Sequence, residues 1–188
     1  MEDIIDQPLF KSDKPGATFG SFGQRLGATI LDTLILAPVS FGLTYLNITT
    51  WKSSVILIII TLAGIAYKPI MEAVYGATLG KMIVNLKVTN LQFETASTGE
   101  ILLRNVFHIA PSLITLVFNI QVFNDPGFAS VSGFGEYSVF IQRIPVLQYI
   151  SWATSLITII DAIVLLADQQ RRSLHDKIAG TVVIVSPK

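Results

Sequence analysis

The sequence predicts an all-α polytopic membrane protein built as a four-helix transmembrane bundle. Of its 188 residues, 51% are hydrophobic and only 14% are charged, with a mean hydropathy of +0.61. Soluble domains carry about 25% charged residues. The apolar residues also fall into four windows near the length of about 20 residues that crosses a bilayer. These windows are residues 26–46, 54–75, 101–122 and 146–167. A large soluble helical core is the alternative, but four such windows leave it little polar surface.

Residues 1–21 are predicted to be a cytoplasmic segment, and residues 22–188 to form the membrane domain. The first 20 residues hold four acids and two prolines, without the apolar run of a signal peptide. The basic residues of the connections agree with this orientation, because Lys and Arg collect on the cytoplasmic side. The predicted inner side carries Lys11, Lys14, Arg25, Lys81, Lys87, Arg104, Arg171, Arg172, Lys177 and Lys188, and the outer side carries Lys52 and Arg143. We therefore expect a multi-pass membrane protein with both termini in the cytoplasm.

Two segments outside the spans contain strand-like patterns, one between the second and third spans and one after the fourth. In residues 83–90, apolar and polar side chains alternate, which is typical of a half-buried strand. Residues 181–186 read TVVIVS and are rich in β-branched side chains. We predict that the two stretches pair as a short β-ribbon on the cytoplasmic side, packed on the helix ends because an isolated ribbon is marginally stable. The outer loop 123–144 is compatible with disorder, a short interfacial helix or a contact surface.

Ionisable residues within the first two spans indicate where the bundle needs internal partners. Each costs about 2.5–3.5 kcal/mol at the bilayer centre. Arg25 and Asp32 share a helix face but lie about two turns apart. Asp32 therefore needs a partner on another segment, or water. Lys68 and Glu72 lie one turn apart and can pair directly. Pro69 between them is expected to break the helix.

The later spans add further charged candidates. Arg104 and His108 lie four residues apart in the third span, and Asp161 lies within the fourth. Two interpretations remain open: these charges fix helix packing, or some of them form a path for ions or protons. The path candidates are Asp32, Lys68, Glu72 and Asp161. The candidates for binding lipid phosphate or anchoring helices are Arg25, Arg104, Arg171 and Arg172.

The sequence gives no indication of an enzyme, a cofactor or a metal site. It has no Cys and only two His residues, which are far apart. The Walker A, HExxH and GxSxG patterns are absent from it. His175-Asp176 is only a weak indication of a metal ligand or proton relay. The equal numbers of acidic and basic residues, without a basic face, argue against nucleic acid as a partner. The expected partners are the lipid bilayer and other membrane proteins, in a homo- or hetero-oligomer.

Three sequence blocks resemble the RDD family of small bacterial membrane proteins. The blocks are 25-RLGATILD-32, 76-GATLGKMIVNLKV-88 followed by Arg104, and 174-LHDKIAGTVVIV-185. The family is named for one Arg and two Asp. The resemblance implies that Arg25 and Asp32 are the first two of these, and that Asp176 is the third, with Asp161 as its rival. It also implies two candidate activities, because some members are described as cation/proton antiporters and others as accessory membrane subunits.

Two functions therefore remain as hypotheses. The first is an accessory or structural subunit in which buried charges fix helix packing. The second is cation/proton exchange at Asp32 and Asp161, since a proton and a monovalent cation can neutralise the same carboxylate. A four-helix chain needs oligomerisation to build an alternating-access transporter, because such folds are assembled from larger repeated units.

Overall fold

The computed structural model describes residues 18–186. Most of the predicted N-terminal segment, with Lys11 and Lys14, lies outside the described residues, as does Lys188. The helices are α1 (Phe22–Leu46), continued by a π-helical turn (Asn47–Trp51), α2 (Ser54–Tyr75), α3 (Leu79–Ile83), α4 (Thr98–Arg104), α5 (Val106–Phe123), a 3-10 helix (Pro126–Ser130), α6 (Phe134–Ile141), α7 (Pro145–Ala167) and α8 (Leu174–Ala179). The strands are β1 (Leu86–Asn90) and β2 (Thr181–Val185).

Four helices in the described part of the chain are long and apolar enough to cross a membrane. They are Phe22–Trp51, Ser54–Tyr75, Val106–Phe123 and Pro145–Ala167. At most 17% of the most apolar window of any of them is buried against protein. Apolar side chains therefore remain uncovered along each span, as expected where lipid is the solvent. The predicted all-α polytopic fold is confirmed.

The third span begins later than predicted. Its expected start at residue 101 falls inside α4, and the transmembrane helix α5 begins only at Val106. Asn105 separates the two helices, and its side-chain amide donates to the carbonyl oxygen of Ile101 at 2.9 Å and to Glu72 at 3.0 Å. These bonds hold the junction at the end of the bundle, so residues 101–104 are not part of the span.

The predicted break at Pro69 is wrong, because α2 runs without interruption from Ser54 to Tyr75. Lys68 therefore keeps a helical backbone despite the proline that follows it. Pro69 is itself buried, and α2 packs against α5 and α1. Proline is tolerated within transmembrane helices where neighbouring helices hold the segment in place.

The predicted β-ribbon is confirmed. Strands β1 and β2 pair antiparallel in five residue pairs, from Leu86 with Val185 to Asn90 with Thr181. The chain before α1 adds a bridge to the edge of the ribbon, where the Gly20 amide donates to the Val183 carbonyl at 2.9 Å. Buried Ala28, Leu86, Val88, Ala96, Ile101 and Val183 form the core between the ribbon and the helix ends. We call this end of the bundle, with α3, α4, α8 and both strands, the ribbon end.

Residues 124–144 fold over the opposite end of the bundle. The 3-10 helix brings Phe128 onto Phe123, with ring centroids 4.3 Å apart, and α6 adds Tyr137 and Phe140 around it. Phe128 and Val122 are fully buried in this cluster. Of the three alternatives for the outer loop, a short helix is therefore present in α6.

Candidate functional site

Five charged side chains from five helices meet at the ribbon end. We call them the charge network, and its members are Arg25 of α1, Glu72 of α2, Lys81 of α3, Arg104 of α4 and Asp176 of α8. Ala28 of α1 and Ile101 of α4 lie in the core beneath the ribbon, while α3 contacts β1 and α8 contacts β2. Two carboxylates, those of Glu72 and Asp176, are its centres, and neither side chain has any exposed surface.

Asp176 connects the first helix with the last. Its Oδ2 lies 2.5 Å from Nη1 of Arg25, and its Oδ1 pairs with Nη1 of Arg104. It also receives the backbone N–H of Ser173 at 3.1 Å and the hydroxyl of Thr181 at 3.3 Å. The bond with Ser173 belongs to a capping box at the start of α8. The Asp176 carboxylate therefore caps the N-terminus of α8 and also neutralises two arginines.

Arg25 uses every guanidinium nitrogen within the protein. Besides Asp176, its Nη2 donates to the carbonyl oxygen of Arg171 at 2.5 Å, and its Nε donates to that of Gly20 at 3.2 Å. The side chain thereby ties α1 to the segment before α8 and to the ribbon edge. Of the two predicted roles for Arg25, the geometry corresponds to helix anchoring rather than binding of lipid phosphate.

Glu72 has different partners from the one predicted. Its carboxylate pairs with Nζ of Lys81 and with Nε of Arg104 at 3.4 Å, and it accepts from Asn105. The predicted Lys68–Glu72 pair is not formed, because these three groups occupy the carboxylate. Arg104 is only 3% exposed, and its contacts with Glu72 and Asp176 correspond to the helix-anchoring alternative predicted for it.

Lys81 is a buried cation whose charge depends on its surroundings. Burial, together with the charges of Arg104 and Lys68, lowers the pKa of Lys81 to about 7. The carboxylate of Glu72 acts in the opposite direction. We place the ammonium form in the pair, because the Nζ atom of Lys81 lies against this carboxylate. This residue entered the sequence analysis only as a loop charge, although it lies in one of the three family-like blocks.

Asp32 accepts three hydrogen bonds at the start of α3. The donors are the Tyr67 hydroxyl at 2.8 Å, the Thr78 hydroxyl at 2.6 Å and the Gly80 amide at 2.7 Å. Asp32 thus has hydrogen-bond partners on other segments, as predicted for a carboxylate inside a span. A Cβ atom at Gly80 would lie 2.0 Å from the carbonyl oxygen of Ala28, so the close approach of α3 to α1 requires glycine at this position.

Asp161 is bonded to His175 rather than to Asp32. Its Oδ1 lies 2.7 Å from Nδ1 of His175 and accepts the backbone N–H of the same residue at 3.1 Å. Burial and the charges of Arg104 and Lys68 lower the pKa of His175, and Asp161 opposes them, so that the pKa falls to about 3. The imidazole is therefore neutral at pH 7 and donates through Nδ1 to the carboxylate.

The remaining predicted residues lie around this centre or apart from it. Lys68 has no ion pair or hydrogen bond to residues 18–186, yet it lies within electrostatic range of Asp32, Glu72 and Asp161. His108 is exposed on α5. Arg172 pairs with Asp168 at 3.3 Å, close to the predicted anchor Arg171. Among the described residues, no group of three or more acidic or His side chains has the arrangement of a metal site.

The formal charges of the charge network and of its neighbours Asp32, Lys68 and Asp161 cancel. Four cations are present, namely Arg25, Lys68, Lys81 and Arg104. They match four carboxylates, namely Asp32, Glu72, Asp161 and Asp176, while His175 is neutral. Burying charge is tolerated where opposite charges and hydrogen bonds compensate it. The arrangement therefore holds eight ionisable groups near the membrane boundary without a net charge.

Comparison with known proteins agrees with the three blocks described above. The sequence profile of the RDD family matches residues 19–180. This range includes every member of the charge network. Neither the curated proteins nor the solved structures contain a match. Because the profile covers most of the chain and the structure has four apolar helices of spanning length, the protein is a membrane protein that belongs to the RDD family.

Proposed function

We propose that the protein is a non-enzymatic accessory or structural subunit of a membrane assembly, and that its charge network fixes the helix ends. The observation that supports this function best is the saturation of Asp176. This buried carboxylate has two arginines and two further donors within the chain. Asp32, the carboxylate at which the alternative function places a transported cation, also accepts three hydrogen bonds from other segments. A cation there would have to compete with these donors for the oxygen lone pairs.

We assign the ribbon end to the cytoplasmic side of a bacterial inner membrane. The inner set of basic residues from the sequence analysis lies at this end within the described residues, including Lys81, Arg104 and Lys177. Both termini then lie in the cytoplasm, in accordance with the positive-inside rule. We also assign Asp176, rather than Asp161, as the second Asp of the family name, because Asp176 contacts Arg25 directly.

The accessory function requires that the protein occur in a complex. We expect purification from native membranes in mild detergent to give the chain together with other membrane-protein chains in a fixed ratio. Asp32→Asn should lower the yield and melting temperature of the complex, because it weakens the contact of α3 with α1. A monodisperse and inert single chain, isolated without any partner, would contradict the accessory role.

Cation/proton exchange through an oligomeric bundle is the alternative function. The observation that favours it is Lys68, an internal cation without an ion pair in the described part of the chain, within electrostatic range of Asp32 and Asp161. An intramembrane charge of this kind is a functional candidate. It can compete with a transported cation for the two carboxylates.

A flux measurement separates the two functions. The protein is reconstituted in liposomes with a trapped pH dye, and Na⁺, K⁺ or Li⁺ is added outside. The accessory function predicts no cation-dependent pH change. A signal that is present in the native chain and lost in folded Asp32→Asn would establish exchange. A signal that persists unchanged in this variant would exclude Asp32 as the exchange site.

A further inference from the structure

A cavity of about 560 Å³ is lined by α2, α5, α6 and α7, away from the charge network. Its lining on α5 includes Ser112, Thr115 and Asn119, and its lining on α7 includes Thr154, Ser155 and Thr158. Spacings of three or four residues put the α5 set on one helix face, and they connect Ser151 with Thr158 through Thr154 or Ser155 on α7. Two polar stripes therefore face the same space within the candidate membrane spans.

The Ser and Thr side chains of this cavity offer both acceptors and donors. The hydroxyl of Ser112 donates to the His108 carbonyl at 2.7 Å, and that of Ser155 donates to the Ser151 carbonyl at 2.9 Å. Thr154 and Thr158 make the same bond to the carbonyl four residues earlier. The oxygen lone pairs of these four hydroxyls remain available to the cavity, and so do the hydroxyls of Thr61, Thr115 and Ser151.

Asn119 extends this pattern toward α6. Its Nδ2 donates to the Thr115 carbonyl at 3.1 Å, and its Oδ1 accepts the Tyr137 hydroxyl at 2.7 Å. Acyl chains have no donors, so filling the cavity with lipid leaves these acceptors unpaired, at a cost in free energy. Water supplies donors, and the volume holds on the order of 15–20 molecules at about 30 Å³ each.

We propose that this cavity is hydrated in the membrane. The proposal goes beyond the structural function, since the charge network fixes the helix ends without it. Water can both donate to and accept from the polar side chains that line the cavity. A partner helix or a lipid chain in the same space would exclude water.

The chain has no cysteine, so a single introduced thiol is a unique probe of hydration. Ser155→Cys and Thr115→Cys place thiols in the cavity. Leu156→Cys and Val117→Cys are matched controls on the same helices, at 59% and 55% exposed apolar positions. Only a hydrated thiol ionises readily, and the thiolate is the reactive species. A charged methanethiosulfonate reagent on membrane vesicles therefore distinguishes the two sets.

We expect the cavity thiols to be modified roughly tenfold faster than the controls, or more. Labelling after denaturation counts the total thiol and shows that each variant is present in the vesicles. Slow modification at all four positions would overturn the proposal, because it would place lipid or a protein helix in the cavity. Equally fast modification at all four positions would also overturn it, since the controls would then share the same water. Comparing reagent added only inside the vesicles with reagent added only outside shows on which side of the membrane the cavity opens.

Discussion

At the residue scale, the charge network depends on how completely each buried carboxylate is compensated. Asp176 is fully buried and lies against Arg25 and Arg104. Removing one partner of a buried ion pair typically costs 3–5 kcal/mol, because the other charge is left without compensation. By contrast, Asp168 is a partly exposed acceptor at the end of α7. The two aspartates are therefore expected to respond very differently to the same substitution.

Asp176→Asn is expected to destabilise the protein by about 3–5 kcal/mol, since two arginines lose their shared anion. Asp168→Asn should cost about 1 kcal/mol or less, because its ion pairs are more exposed and Asn still accepts backbone N–H groups. Melting temperatures in detergent measure both effects. Adding Arg25→Gln to Asp176→Asn should recover part of the loss. Equal melting temperatures for the two aspartate variants would contradict the central position of Asp176.

Because His175 is buried in its neutral form, we expect the folded protein to lose stability in acid. Its pKa falls from 6.5 in the unfolded chain to about 3 in the folded protein, so only the unfolded chain takes up the proton between these values. Stability should therefore decrease as the pH falls from about 6.5 towards 3. Asp168, with a folded pKa of about 2 against a reference of 3.8, adds its own loss only below about pH 4.

The measurement is the melting temperature between pH 7 and pH 4.5, above the range in which Asp168 titrates. His175→Gln should flatten this dependence, because glutamine takes up no proton in either state. The same slope in the native chain and in the variant would assign the effect to another group.

At the element scale, α3 is only five residues long and lies against α1 through Gly80. Gly80→Ala should strongly destabilise the protein, because the new Cβ would meet the Ala28 carbonyl at 2.0 Å and backbone must shift. Gly99→Ala in α4 is the matched control, since nothing lies within 4 Å of its Cβ position. Yield and melting temperature in detergent report the difference, and equal behaviour of the two variants would contradict the close α1–α3 contact.

The elements themselves could largely be predicted from the sequence. Hydropathy located α2 and α7 to within a residue, and the alternation in residues 83–90 identified β1. The start of α5 could not be predicted in this way, because the bonds from Asn105 to Glu72 cross between helices. The spacing of Lys68 and Glu72 likewise predicted an ion pair within one helix. In the structure, Glu72 instead pairs with Lys81, which lies on the next helix. Local periodicity contains no information about such contacts.

At the scale of the whole molecule, the charge network joins the start of the membrane domain to its end. Arg25 and Asp176 are 151 residues apart in sequence, and β1 and β2 bring the middle and the last segments together. The three family-like blocks of the sequence supply Arg25, Lys81 and Asp176. The blocks indicated which segments matter, but only the fold shows that they meet.

Truncation tests this long-range dependence. A chain that stops after Gln170 lacks α8 and β2, and it leaves Arg25 and Arg104 without Asp176. We expect its level in the membrane to be several-fold lower than that of the full chain, because loss of stability reduces abundance through proteolysis. A chain that stops after Ser186 keeps the whole network and is the control. Equal membrane levels of the two truncated chains would argue that the network is dispensable.

The distance between Arg25 and Asp176 along the chain also has a consequence for biosynthesis. A ribosome that adds 5–20 residues per second makes Asp176 roughly 8–30 s after Arg25. During that interval the nascent first helix carries a guanidinium without its final anion. Lipid phosphate, which the sequence analysis considered as a partner of Arg25, is suited to that temporary role. Its replacement by Asp176 would then mark the completion of the chain, at the moment when the last helix closes against the first.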